Sequence, residues 1–259
     1  MNRLDILEIE KKKKETPTIE SIYFKWEEEY NPGQFVMIWI PGIDDIPMAI
    51  SKDEAGLDFI TVKKRGESTR KLHQVSPGEK IGVRGPFGSG YDIQGDIILL
   101  VTGGCGGASL MEVVNHAHKK NIEVITCLGA KTEEELLFKD KFSEMTDLKI
   151  ATDDGSSGHH GYVTELAESV IEKEEINLVF TCGPEIMMKK IVEICVGNDI
   201  PVQASLERYM KCGIGICDSC SIDGKQVCQD GPVFKGRELL EYKEFGKYER
   251  TKEGKLVKL

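Results

Sequence analysis

Apolar and polar positions alternate near the start of the chain. Ile22, Phe24 and Trp26 alternate with Ser21, Tyr23 and Lys25, the period of a half-buried strand. Asn31-Pro32-Gly33 marks a turn, 35–40 reads as a second strand, and Pro41-Gly42 ends it. Segments 57–63 and 80–84 add two more. Short strands at this spacing, with no helical period between them, predict a small β-barrel over residues 1–92. The run Lys11 to Lys14 reads as a solvated strand end or turn.

Past residue 93 the pattern changes. Ile97-Ile98-Leu99-Leu100-Val101 is a continuous apolar run, as expected of a parallel strand buried on both faces. Leu110, Val113, Val114 and Ala117 then follow a helical period. The unit repeats. Strands are expected at 122–128, 148–152 and 178–182. Helices are expected at 133–142, where Thr132 and Glu135 suggest a capping box, around Val163 to Ile171, and around Ile186 to Val192. This alternation predicts a doubly wound α/β parallel sheet over 93–206. Residues 207–240 hold a cysteine-rich, glycine-rich segment, and 241–259 read as a charged, peripheral tail. No low-complexity linker separates the parts, so they are expected to pack closely.

Composition narrows the function classes. The chain of 259 residues is 40% hydrophobic and 30% charged, an ordinary globular balance. No apolar run reaches the roughly 18 residues of a membrane span. The first fourteen residues lack the apolar centre of a secretory signal, so a cytoplasmic location is expected. A net charge of -10 opposes binding to nucleic acid.

The cysteines carry the sharpest chemistry. Four of the eight form Cys212-x4-Cys217-x2-Cys220-x7-Cys228, the plant-type [2Fe-2S] spacing. Gly213 and Gly215 let the loop bend tightly around a compact cluster. A structural zinc site also uses four thiolates, but it usually pairs two C-x2-C units, and only one is present. Cys127 and Cys195, in apolar segments, read as packing residues.

A second signal is Thr102-Gly103-Gly104-Cys105-Gly106-Gly107-Ala108-Ser109, between a strand and its helix. Glycines there let a ligand approach the backbone, and the helix start offers amides to a pyrophosphate. The motif is not a strict G-x-G-x-x-G, and a glycine turn with no ligand is the alternative. Cys182-Gly183-Pro184 ends a strand on the same edge, where the sulfur either nears a ligand ring or simply packs. Asp153 and Asp154 follow another strand end. Carboxylates there suit ribose hydroxyls and repel a 2′-phosphate, which favours NAD over NADP, although a solvated acidic turn reads equally well. His159-His160 reads as solvent-exposed. Gly66-Glu67-Ser68-Thr69 offers amides and hydroxyls to a phosphate, with an ordinary turn the stronger reading.

Barrel, glycine-rich turn, Cys-Gly-Pro strand end and cluster loop, in that order, resemble the ferredoxin reductase superfamily. Within it, Cys212 to Phe234, ending in Gly231-Pro232-Val233-Phe234, is most similar to electron-transfer subunits of class 1B dihydroorotate dehydrogenase. Arg84-Gly85-Pro86-Phe87-Gly88 resembles the family's barrel-to-sheet junction. The resemblance implies FAD between barrel and sheet, NAD on the sheet domain, and a [2Fe-2S] cluster on the four cysteines. It also implies an FMN-containing dihydroorotate dehydrogenase partner subunit in a heterotetramer serving pyrimidine biosynthesis. By resemblance, Ile46-Pro47-Met48-Ala49 matches an Arg-Pro-x-Ser flavin motif. Ile46 stands where the arginine would meet the FAD phosphate, and Ala49 where the serine would lie near the ring. Thr61, Val62 and Lys63, with Gly66, Ser68 and Thr69, match further flavin segments. Cys105 and Ser109 stand where the nicotinamide segment usually has Gly and Pro. NAD(P)H–ferredoxin oxidoreductases and sulfide dehydrogenases share this layout and form the alternative reading.

Overall fold

The computed structural model describes residues 3–259. Six antiparallel strands close a barrel: β1 (Asp5–Thr16), β2 (Ile19–Phe24), β3 (Phe35–Trp39), β4 (Asp45–Lys52), β5 (Asp58–Lys63) and β6 (Lys80–Phe87). Their order around the barrel is β1-β2-β5-β4-β3-β6. Ile9, Ile22, Phe24, Val36, Ile38, Ile60, Val62 and Val83 fill its interior. β2 is buried on both faces, because Tyr23 packs outward with Phe59 against the second domain while Ile22 and Phe24 point inward. Lys11 to Lys14 lie within β1 rather than at a strand end. Carboxylates beside them hold the ammonium groups: Lys11 meets Asp53 at 3.0 Å, Lys12 meets Glu20 at 2.7 Å and Lys13 meets Glu15 at 3.1 Å.

The barrel also carries a helix that the strand pattern did not suggest, α1 (Glu67–Gln74). Leu72 is its one buried residue, so little apolar period marks it. Glu67 in the first turn and Lys71 and His73 in the last suit the helix dipole.

The second domain begins with β7 (Ile97–Gly103) and α2 (Gly106–Lys119), then β8 (Glu123–Ala130), α3 (Lys139–Met145) and β9 (Asp147–Thr152). The short β10 (His159–His160), α4 (Val163–Ile171), β11 (Leu178–Cys182), α5 (Glu185–Gly197) and β12 (Val202–Ser205) follow. The sheet runs β10-β9-β8-β7-β11-β12 in parallel and ends on an antiparallel strand from the cysteine-rich segment. The expected helix at 133–142 is split. Glu133–Glu135 form a 3-10 turn, Phe138 turns left-handed at φ 60°, and α3 starts after it. Leu136, Leu137 and Phe138 are all buried, which one face of a continuous helix cannot achieve. Thr132 makes no side-chain cap. The Glu133 amide instead donates to Ser156 Oγ at 2.8 Å.

The cysteine-rich segment adds the hairpin β13 (Ser221–Ile222) and β14 (Lys225–Gln226), the short α6 (Val227–Asp230), β15 (Val233–Lys235) and α7 (Gly236–Glu241). It is sewn to the sheet rather than set apart. β15 pairs antiparallel with β12, and Cys220, Ile222, Val227, Cys228 and Phe234 share one apolar core with Val179, Ile191 and Val192.

The tail is likewise not peripheral. Phe245 is 1% exposed in that same core, and a last hairpin, β16 (Tyr248–Arg250) and β17 (Leu256–Lys258), follows it. Polar contacts pin the tail from both sides. The Glu244 amide donates to Asp223 Oδ2 at 2.8 Å, Arg250 Nε donates to Ser221 O at 3.3 Å, and Lys252 Nζ meets Asp44 Oδ2 at 3.2 Å. Among the described residues no helix is long and apolar enough to cross a membrane.

Candidate functional site

Gly213 and Gly215 both adopt positive φ, 74° and 75°, and turn the loop so that its amides face sulfur. Ile214 N and Ile216 N donate to Cys212 Sγ at 3.4 and 3.5 Å, and Gly215 N donates to Cys228 Sγ at 3.2 Å. Burial raises the Cys212 thiol's pKa, but the amides of Ile214, Ile216 and Cys217 outweigh it and bring the thiol down to about 6. Burial and the neighbouring Cys220 push Cys228 up to about 12. Cys228 N donates to Cys220 Sγ at 3.4 Å, so these two buried cysteines lie side by side. Among the described residues no three His, Cys, Asp or Glu side chains gather around a single ion position. Cys220 and Cys228 are buried, while Cys217 is exposed next to Ile216, whose side chain is 75% exposed. The loop therefore presents one edge to solvent.

The glycine-rich turn lies at the carboxyl end of β7. Cys105 caps α2 without a side-chain bond; the Ala108 amide turns back to the Cys105 carbonyl at 3.0 Å, which leaves the Gly106 and Gly107 amides without a cap. A Cβ on Gly104 (φ 57°) would meet open space. A Cβ on Gly106 would lie 2.0 Å from the Cys182 carbonyl oxygen, so this position brings the turn into contact with the Cys182-Gly183-Pro184 strand end. Gly103 touches Met187 and Pro184 in the same way, and Gly107 packs over Phe142. Cys182 itself is 2% exposed, and its sulfur bonds to Ser109 and Ser205. Burial is the chief cause that raises its thiol's pKa.

Glu207, which the sequence did not single out, stands just after β12 between the two domains. Its surface is exposed, although surrounding protein still desolvates the carboxyl, and Arg65 and Lys63 from the barrel exert the opposing charge. Burial raises its carboxyl above the ordinary range, and the two cations offset this in part. No local pattern marks a lone Glu that acquires its role from a distant strand.

The acidic turn is more committed than the sequence suggested. Asp154 Oδ1 accepts from Ser156 N at 2.9 Å and from Ser156 Oγ at 2.6 Å, leaving Asp153 the freer carboxylate. His159 and His160 are exposed, and His159 Nε2 meets Glu165 Oε2 at 3.0 Å.

On the barrel, Ile46, Pro47, Met48 and Ala49 lie on β4 opposite Ile38, Met37, Val36 and Phe35. Ile46, Glu67 and Ser68 line a cavity of about 350 Å³, together with Gly42, Ile43, Asp44, Tyr209 and Lys252. Gly66 caps α1 with no side-chain bond. Of the expected flavin residues only Ile46 and Ser68 line this cavity, and Val62, Thr69 and Thr61 are held elsewhere. Val62 is fully buried in the barrel core, and its carbonyl is held by His73 Nε2 at 2.9 Å. The Thr69 hydroxyl is used locally, donating to Gly66 O at 3.1 Å and accepting from Arg65 N at 2.9 Å. Thr61 Oγ1 pairs with Ser21 Oγ at 3.1 Å inside the wall.

Known proteins match this geometry at both levels. Residues 207–240 match the model of the iron-sulfur cluster binding domain of dihydroorotate dehydrogenase B, and 100–193 match an oxidoreductase NAD-binding domain. The Methanocaldococcus jannaschii protein named "Probable dihydroorotate dehydrogenase B (NAD(+)), electron transfer subunit" is 47% identical over 245 residues, 94% of each chain. The chain belongs to the dihydroorotate dehydrogenase B electron-transfer subunit family. The Thermoplasma volcanium member is 45% identical over 98% of each chain. In three dimensions the chain is similar to an NADH-dependent reduced ferredoxin-NADP oxidoreductase structure studied for flavin-based electron bifurcation. The TM-score is 0.82 and the identity 31%, with 92% of this chain and 91% of that one covered.

Proposed function

We propose that this family member relays electrons, drawn from dihydroorotate by an FMN-carrying partner subunit, by way of [2Fe-2S] and FAD to NAD⁺. The observation that carries the reading is the loop of Cys212, Cys217, Cys220 and Cys228, whose backbone amides turn onto the sulfurs and whose Cys217 edge is open to a partner. We assign residues 1–92 to flavin binding, 93–206 to the nicotinamide and 207–240 to the cluster. Residues 241–259 brace the cluster segment against the barrel.

The donor set fits these groups. Free amides at the starts of α1 and α2 suit phosphates. Glu207 lies within electrostatic reach of Lys63 and Arg65 on the barrel and of Cys105 and Cys182 on the sheet domain. When bound, the flavin supplies exchange between one-electron and two-electron carriers. The chain's own task is placement. Ile46 and Ser68 shape the cavity on the barrel, the Gly103–Gly107 turn receives the dinucleotide, and Asp153 suits a ribose hydroxyl. The amides of Ile214, Gly215 and Ile216 favour the thiolate form of the cluster ligands. Eight free cysteines fit a reducing compartment, and we place the chain in the cytoplasm.

The deciding experiment is a visible spectrum of protein purified without oxygen, with iron, zinc and flavin quantified. Two irons and one FAD per chain are expected, and zinc without iron would sink the relay. The likeness to the ferredoxin-NADP oxidoreductase structure favours a second reading, exchange between a nicotinamide and ferredoxin. Turnover of dihydroorotate with NAD⁺ in the presence of the FMN subunit separates the two.

A further inference from the structure

Tyr91 stands in the connection from β6 to β7, between the two domains, and is buried. Barrel, sheet and helix all hold it. Its amide donates to Pro32 O at 2.7 Å, and a Cβ on Gly33 would lie 2.6 Å from its Cδ2. Its ring meets Phe180 of β11 edge-on, with centroids 5.1 Å apart. Its hydroxyl lies 3.5 Å from Ser109 Oγ in the first turn of α2 and also reaches Ser205 at the end of β12. The same two serines bond to the Cys182 thiol. Strand alternation explains the meeting. Phe180 and Cys182 share one face of β11, on which Tyr91 and α2 pack. Thr181 pairs with Ala204, so Cys182 and Ser205 follow side by side on neighbouring strands. One buried thiol thus sits among three hydroxyls from three separate segments.

The cluster of hydroxyls lies at the sheet's switch point. From β7 the order runs through β8 to β10 on one side and through β11 to β12 on the other, so it reverses between β7 and β11. Open α/β sheets bind ligands at that reversal, outside the carboxyl ends of the strands. Cys182 ends β11 beside Thr102 of β7, next to the glycine-rich turn. The barrel reaches the same place. Ser51, two residues after Ala49 on β4, donates through Oγ to the Ala108 carbonyl at 3.2 Å. Hydride exchange needs the nicotinamide ring held close to the flavin, which argues for that ring at this end of the crevice, where barrel and sheet meet.

We propose that Tyr91 is a positioning residue for hydride exchange: through Ser109 and Ser205 its hydroxyl fixes the direction of the Cys182 thiol in the wall that receives the nicotinamide ring. This rests on the reading of the sheet domain as the nicotinamide site and of the barrel as the flavin domain. No bond to the Cys182 sulfur forms or breaks. The thiol acts as an oriented dipole, and a dipole held in advance costs no reorganisation when charge moves past it. A thiol free to rotate would present sulfur in some orientations and hydrogen in others.

The test is Tyr91→Phe in the complete protein, which removes the hydroxyl and keeps the ring against Phe180 and Gly33. The S–H stretch of Cys182, identified as the infrared band lost in Cys182→Ser, is expected to shift in Tyr91→Phe. Single-turnover reduction of the flavin by saturating NADH is expected to slow about two- to tenfold, the worth of one neutral hydrogen bond. NADH affinity is expected to change less than this rate, because the dinucleotide's other contacts lie on the Gly103–Gly107 turn. The rate losses of Tyr91→Phe and Cys182→Ala are expected not to add in the double variant, since the hydroxyl acts only through the thiol. An unmoved S–H band, an unchanged rate or fully additive losses would each overturn the proposal and leave the nicotinamide reading in place. If NADH neither bound the unsubstituted protein nor reduced its flavin, the nicotinamide reading would fall and the proposal with it.

Discussion

Glu185 and Arg208 form a buried ion pair that ties the first turn of α5 to the start of the cluster segment. Both guanidinium nitrogens reach the carboxylate, NH2 at 2.9 Å from Oε1, and the side chains are 7% and 3% exposed. Glu185 Oε1 also accepts from the Gly246 amide at 2.7 Å, so one carboxylate fastens the strand end after Pro184, the cluster segment and the tail.

Removing one partner of such a pair leaves a buried charge without compensation. Glu185→Ala is expected to cost about 3–5 kcal/mol in urea unfolding. The double variant with Arg208→Ala is expected to cost less than the sum of the singles, because it strands neither charge. Additive losses would mean the pair is not coupled.

Gly106 is set by contact rather than by backbone angle. A methyl group there would lie 2.0 Å from the Cys182 carbonyl oxygen, a backbone atom that cannot swing aside. Gly106→Ala is expected to destabilise the chain by about 1–3 kcal/mol and to weaken NADH binding in a titration. Gly104→Ala meets no neighbouring atom but must hold φ at 57°, so a smaller loss of about 1 kcal/mol is expected.

The sheet was legible because runs such as Ile97 to Val101 are buried on both faces, and each is followed by a helical period. The cluster loop was legible because four cysteines at fixed spacing need no fold to interpret. What stayed hidden depends on distant contacts. Leu72 alone anchors α1, so no period reveals that helix. Phe245 and Lys252 sit in a charged stretch and gain their places from α5, Ser221 and Asp44. Glu207 looks like any exposed acid until the barrel brings Lys63 and Arg65 beside it.

Glu207 sets a pH dependence whose sign follows from its environment. Burial raises its carboxyl above that of an unfolded Glu. A raised carboxyl costs folding nothing at low pH, where both states are protonated, and opposes folding increasingly as pH rises through the ordinary Glu range. Glu207→Gln is therefore expected to raise the melting temperature of the flavin-free protein at pH 8 more than at pH 4. An equal shift at both would mean the proton has no part in it.

Cys217 tests the path of electrons. It is the exposed cysteine of the four, its sulfur lies 3.4 Å from Ser219 Oγ, and its replacement leaves the buried Cys220 and Cys228 packing intact. Cys217→Ser is expected to lower iron content, bleach the cluster's visible absorption and reduce dihydroorotate-linked NAD⁺ reduction to background with the FMN subunit present. The flavin and nicotinamide sites lie on other elements, β4, α1 and the turn after β7. NADH oxidation by a soluble dye is therefore expected to persist at near the original rate. The two assays separate relay from collapse. Loss of both would mean the substitution unfolds the chain, while survival of dihydroorotate turnover after loss of iron would mean that electrons bypass the cysteines.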